Sequence, residues 1–161
     1  MVARSVPLPV PTLTLPDENA TLALGAALAA PLEPGVVITL RGELGAGKTT
    51  LVRGLLRALG HPGRVKSPTY ALVEVYELSR LSLYHFDFYR FQDPSEWIEA
   101  GFRDVFNGRN VCLVEWPERA RGQLPPADLD IALEVKEPGR SATLTALSVP
   151  GERLLAASRL S

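Results

Sequence analysis

The chain has 161 residues, 17 Lys and Arg against 18 Asp and Glu, a formal net charge of −1, 46% hydrophobic residues and one cysteine. That balance excludes a nucleic-acid binder working by bulk positive charge, because neutralising phosphates takes a clear Lys/Arg excess on at least one face. The length suits one domain able to bury roughly 70% of the surface its unfolded chain exposes, and the lone Cys112 excludes an internal disulfide or a thiolate metal site and reads as a small buried hydrophobe.

Residues 1–13, punctuated by Pro7, Pro9 and Pro11, read as a mobile arm ahead of a single domain over 14–161. No run approaches the roughly 20 apolar residues of a membrane span, and the proline-broken start is unlike a secretory signal, so a soluble, cytoplasmic protein is expected. Asp17 is placed to cap a helix over 18–30 whose Leu22, Ala26 and Ala29 share a face, with Pro31 and Pro34 ending it. Val36–Leu40, rich in β-branched residues, predicts a strand buried on both faces. A glycine-rich turn leads into a helix over 49–59 that gathers Leu51, Val52, Leu55, Leu56 and Leu59 on one side and sets Arg53 and Arg57 opposite.

After a loop over 60–69, two strands are predicted at 70–78 and 81–88, joined at Ser79-Arg80. Asp93-Pro94-Ser95-Glu96 opens a predicted helix running to Phe106. Val111–Glu115 predicts another buried strand, ending in a carboxylate. Residues 129–135 and 142–148 alternate on either side of Glu137–Arg140 and predict an antiparallel hairpin. The sum is an α/β fold: a P-loop NTPase-like mixed β-sheet flanked by helices, with a C-terminal antiparallel hairpin.

Gly42-Glu43-Leu44-Gly45-Ala46-Gly47-Lys48-Thr49 matches G-x-x-x-x-G-K-[ST] in full, between a buried strand and an amphipathic helix as that motif requires. The glycines let successive backbone N–H groups and the positive end of the helix face an anion, and Glu43 and Ala46 leave that holding to the backbone. Lys48 then reaches the β- and γ-phosphates, and the Thr49 hydroxyl can ligate Mg2+. Such a site also uses a strand-end carboxylate, and both Asp87 and Glu115 qualify. No Asn/Thr-Lys-x-Asp stretch is present to read guanine, so ATP is the expected nucleotide.

Gly42–Thr50, Val65-Lys-Ser-Pro-Thr-Tyr70, Tyr84-His-Phe-Asp-Phe-Tyr-Arg90 and Cys112-Leu-Val-Glu-Trp-Pro117, in this order, closely resemble the TsaE (YjeE) family, P-loop ATPases of bacterial tRNA threonylcarbamoyladenosine synthesis. The resemblance runs from about residue 14 to about residue 155. It implies a Mg2+-dependent ATPase, weak alone, that acts with TsaB and TsaD, meets tRNA through their complex, and uses hydrolysis to reset that complex rather than to transfer the threonylcarbamoyl group itself. It implies that Glu115 joins Thr49 at the magnesium site, that Asp87 orients or activates the attacking water, and that Thr69, in the switch-like loop Ser67–Tyr70, senses the γ-phosphate. Leu44 and Thr50 belong to the nucleotide loop, Trp116 matches a tryptophan near the nucleotide, and Glu18 and Arg140 match positions near the adenine.

His85 and Tyr84 read as hydrogen-bonded structural residues of the Asp87 segment, and Arg53, Arg57, Arg64 and Lys66 as a solvated face. Two rival readings stay open. One is a small-molecule or nucleotide kinase on the same P-loop, with Arg119 and Arg121 as the nearest approach to lid arginines. The other is a nucleotide-binding adaptor in which ATP stabilises an interface without useful hydrolysis.

Overall fold

The β-branched run after Gly35 becomes the central strand of a seven-stranded mixed sheet in the computed structural model, which describes residues 10–159. The strands are β1 (Thr12–Leu15), β2 (Val37–Arg41), β3 (Val73–Glu77), β4 (Ser82–Asp87), β5 (Val111–Glu115), β6 (Leu129–Lys136) and β7 (Gly139–Ala146). Their order is β1-β7-β6-β2-β5-β4-β3. β2 runs parallel to both β5 and β6, and β4 runs parallel to β5. β3 at one edge, and β7 followed by β1 at the other, are antiparallel additions. The helices are α1 (Glu18–Ala27), α2 (Lys48–Ala58), α3 (Glu96–Glu99) and α4 (Val149–Ser158). Among the described residues no helix is long and apolar enough to cross a membrane.

The period of two along each strand splits the core into two layers. Ile38, Leu40, Leu83, Leu113, Leu129 and Ile131 join Leu24, Leu51, Val52, Leu55 and Leu154 on the side covered by α1, α2 and α4. Val37, Phe86, Cys112 and Val114 pack on the other side with Phe88, Phe91 and Trp97. Leu51, Val52, Leu55 and Leu56 of α2 are all essentially inaccessible, each contributing about 1.5–3 kcal/mol of burial free energy.

Four local expectations are corrected. Thr12 and Leu13, assigned to the arm, start β1 and pair with Thr143 and Ala142 of β7; residues 1–9 of that arm lie outside the described residues. The helix expected to reach Phe106 lasts one turn, because Gly101 at φ +76° terminates it and a 3-10 turn follows at Phe102–Val105. Burial of aromatic rings decides this: Phe102 and Phe106 lie 4.9 and 5.3 Å, centroid to centroid, from Phe86. The buried side of α1 is Thr21, Leu24 and Gly25 rather than Leu22 and Ala26. β3 begins only at Val73, since Leu72 takes φ +69° and Tyr70 stands in solvent.

The predicted hairpin forms, with two residues between its strands instead of six, around the cis Glu137–Pro138 peptide. β7 ends at Ala146, and α4, unforeseen in the sequence, is capped by Ser148, whose hydroxyl accepts from the Gly151 amide at 3.1 Å. Asp128 anchors this corner by accepting from the Val37 amide (2.8 Å) and the Ser148 hydroxyl (2.7 Å).

Candidate functional site

The loop Gly42–Gly47 leaves the C-terminal end of β2, and its geometry follows from its glycines. Gly42 sits at φ +151°, and a Cβ there would come within 2.6 Å of the Leu133 carbonyl oxygen. Gly47, at φ +107°, is the N-cap of α2 and offers no side chain to it. Asp17 caps α1 and Ser148 caps α4, but α2 has neither a capping side chain nor an acid in its first turn. Its first N–H groups and the positive end of its dipole are thus left for an anion.

Strand periodicity supplies the other wall. His85 and Asp87 follow Leu83 on one face of β4, and Glu115 follows Val111 and Leu113 on the same face of β5. Asp87 and Glu115 are register partners at the ends of parallel strands, directly beside the P-loop. That is the edge where open α/β sheets bind ligands.

Lys48 is 5% exposed; its Nζ donates to the Gly42 carbonyl oxygen at 2.5 Å, lies 3.7 Å from Glu115 Oε1, and sits 4.4 Å from the centre of the Trp116 ring. The other carboxylate oxygen, Glu115 Oε2, is 2.5 Å from His85 Nε2. Asp87 Oδ2 accepts from the Thr69 hydroxyl at 3.0 Å, and Oδ1 accepts from the Tyr89 amide at 2.9 Å. Ser67 and Thr69 hydroxyls are 2.8 Å apart. Burial is the main cause that raises the Asp87 pKa above the ordinary carboxylate value, with the neighbouring Glu115 charge adding to it; the Tyr89 amide, Thr69 and Lys48 oppose the shift.

These groups open on a cleft of about 480 Å³ that also takes in Glu18, Leu44, Gly45, Gly47, Thr49, Thr50 and Arg140. Arg140 reaches in from the start of β7, donating to the Gly45 carbonyl oxygen at 3.2 Å, and Glu18 lies 3.7 Å from Arg53. Four residues of the expected set are not part of the lining. Gly42 meets the cleft only through Lys48, Glu43 is exposed, Ala46 is packed in the core, and Trp116 stacks behind Lys48 with its ring 5.0 Å from Tyr89. Trp116 takes φ +55°, the left-handed backbone that turns the chain away at the end of β5.

Asp17, Thr21 and Ser67 also line the cleft and were not among the expected site residues. Asp17 was legible as a cap, but its second duty depends on where α1 docks. The His85–Glu115 bond was signalled only by His85 and Asp87 sharing a strand face. Arg119, one of the two possible lid arginines, donates to the Phe91 carbonyl oxygen at 3.3 Å and lies 5.7 Å from the Tyr89 ring centre, and the other, Arg121, is exposed.

The donor set fits a magnesium nucleotide. Thr49 and Glu115 provide hard oxygen atoms, and among the described residues no cluster of three or more His, Cys, Asp or Glu forms an all-protein metal cage. Two such oxygens suit an ion whose remaining ligands come from phosphates and water.

The family described as "Threonylcarbamoyl adenosine biosynthesis protein TsaE" matches residues 15–142. The chain is 42% identical over 151 residues to the tRNA threonylcarbamoyladenosine biosynthesis protein TsaE of Haemophilus influenzae, covering 91% of this chain and 96% of that one. It is 41% identical over 133 residues to the Bacillus subtilis protein of the same name, covering 82% of each. The crystal structure of YdiB from Bacillus subtilis superimposes with a TM-score of 0.80 at 32% identity, covering 97% of this chain and 98% of that one. On sequence and fold together, the chain belongs to the TsaE family of tRNA threonylcarbamoyladenosine biosynthesis proteins.

Proposed function

We propose that the protein binds ATP with Mg2+ in this cleft and hydrolyses it as an accessory ATPase of tRNA threonylcarbamoyladenosine synthesis, acting on the TsaB–TsaD complex. The observation that carries the reading is Lys48, a buried ammonium at the uncapped head of α2, facing two strand-end carboxylates.

The backbone N–H groups of the loop and of the first turn of α2 hold the phosphates, and Lys48 exchanges its contact with the Gly42 carbonyl for the phosphate oxygens. Thr49 and Glu115 would hold magnesium, which when bound neutralises charge across the β- and γ-phosphates. Asp87, fixed through both oxygens by Thr69 and the Tyr89 amide, orients the attacking water. Its raised pKa makes it a stronger proton acceptor than a free aspartate. Water adds to the γ-phosphorus as the bond to the β–γ bridging oxygen breaks, giving ADP and phosphate. Because the Thr69 hydroxyl is the donor to Asp87, movement of the Ser67–Tyr70 loop toward a γ-phosphate would reset the catalytic carboxylate.

The test pulls the protein down with and without ATP, identifies its partners, and assays phosphate release and threonylcarbamoyladenosine in tRNA. Capture of TsaB and TsaD together with partner-stimulated phosphate release is expected. Phosphate transfer to a small acceptor, or full tRNA modification by Asp87→Asn, would overturn the reading.

A further inference from the structure

His85 is fully buried, two residues after the apolar Leu83 on β4 and opposite Leu113 on β5. Its Nδ1 has no hydrogen-bond partner among the described residues, an arrangement that disfavours a histidine where a leucine would pack without loss. The single polar contact offsetting that loss is Nε2 to Glu115 Oε2, at 2.5 Å. An imidazole carrying its proton on Nε2 donates that bond to the carboxylate oxygen.

That bond selects how Glu115 presents itself. With Oε2 tied to His85 on the core side, Oε1 is the oxygen directed toward Lys48, 3.7 Å away, and toward the cleft. Without the tie, the carboxylate is free to rotate and to bring both oxygens onto the Lys48 ammonium. Then the lysine would be held by Glu115 instead of being passed to phosphate.

We propose that His85 is a positioning residue that holds the Glu115 carboxylate so that one oxygen is kept for the magnesium-bearing side of the cleft. The proposal rests on the reading of the site given above. It adds a residue that touches neither nucleotide nor metal and acts only through Glu115. Hydrogen-bond partners that orient a ligating group change metal affinity by about 10- to 100-fold when removed.

The experiment compares wild type, Glu115→Ala, His85→Leu and His85→Gln by calorimetric titration of ADP in EDTA and in graded Mg2+, alongside ATP hydrolysis. Leu fills the site without a donor; Gln restores an N–H at about the reach of the imidazole Nε2. His85→Leu should bind ADP in EDTA as wild type does but need about 10- to 100-fold more Mg2+ for the metal-enhanced binding. Its kcat at saturating Mg2+ should change far less than its Mg2+ requirement, and His85→Gln should recover most of the difference. Unchanged Mg2+ dependence in His85→Leu overturns the proposal. So does an equal loss in His85→Leu and His85→Gln, which would mark a merely structural role. Should His85→Leu fail to fold by circular dichroism, His85→Asn, whose amide falls short of Oε2, takes its place with the same expected shift. If wild type itself binds ADP with no Mg2+ dependence, the reading of the metal site fails. If wild type depends on Mg2+ and only the His85 variants do not differ, that reading stands and the positioning role falls.

Discussion

Helices α1 and α2 cross at two glycines, and substituting either one sets two opposing effects against each other. A Cβ on Gly25 would overlap the Leu51 carbonyl oxygen and lie 2.9 Å from the Leu55 amide nitrogen; a Cβ on Gly54 would overlap the Leu22 carbonyl oxygen and lie 2.9 Å from the Leu22 Cα. These neighbours are backbone atoms, so neither can swing aside as a side-chain tip would, and the helices must separate by on the order of 1 Å, given the rigidity of packed interiors. Alanine in a helix gains about 1 kcal/mol over glycine, whereas overpacking costs about 1–3 kcal/mol, and separation also loosens Leu24 and Leu28 from Leu51 and Leu55. Both overlaps are with backbone atoms, so the steric effect wins, leaving each variant destabilised by up to about 2 kcal/mol. For a chain of this size that lowers Tm by up to about 8 °C. The double variant should cost less than the sum, because one displacement relieves both overlaps. Since α1 carries Asp17, Glu18 and Thr21 to one side of the cleft and α2 heads the P-loop, nucleotide affinity should fall with stability. Calorimetric melts and ADP titrations of Gly25→Ala, Gly54→Ala and the pair measure this. A rise in Tm, as helix propensity alone requires, would refute the close crossing.

Further outcomes follow from the buried polar groups. Asp87→Asn keeps an acceptor for the Tyr89 amide and a partner for Thr69, so it should fold and bind ATP while turnover drops by about 10²–10⁴-fold; turnover within a few-fold of wild type would remove Asp87 from the chemistry. Because the folded pKa of Asp87 is raised, its ionisation lowers stability as pH rises through that value, so Asp87→Asn should gain stability over wild type at neutral pH and lose the advantage below the unfolded value of about 3.9. Urea denaturation from pH 3 to 8 tests the sign, and a variant less stable at neutral pH contradicts it. The acid limb of hydrolysis should correspondingly lie above the ordinary carboxylate range. Lys48→Ala should weaken ADP binding by about 10- to 150-fold, the loss of a charge-assisted hydrogen bond; equal affinity by calorimetry would refute the cradle. Burial pushes the Cys112 thiol up to about 12, so thiol reagents should label it only in denaturant, and rapid labelling of the native protein would contradict its place in the core.

The phosphate loop was readable because its geometry is local: eight consecutive residues, a strand before them and an amphipathic helix after them specify the turn without help from the rest of the chain. The strand-end acids were readable for a related reason, since an apolar run ending in a carboxylate delivers that carboxylate to a sheet edge. The sequence could not show that the two would be register partners, because pairing β4 with β5 joins segments separated by the whole of α3 and its 3-10 turn. The same holds for Arg140, which meets Gly45 across 95 residues, and for the His85–Glu115 bond across 30.

The errors have the same cause. The helix expected to reach Phe106 had good local signals, but burying Phe102 and Phe106 against Phe86 outweighed them, and Gly101 supplied the break. α1 turned a different face inward because Gly25 and Gly54 permit a crossing that no leucine face could make. The sequence by itself therefore determined the family, the mixed α/β class and the anion cradle, all written in short contiguous stretches. Only the tertiary structure decided which distant side chains complete the site, because hydrogen bonds between strands and close contacts between helix backbones depend on register and docking, which no contiguous stretch encodes.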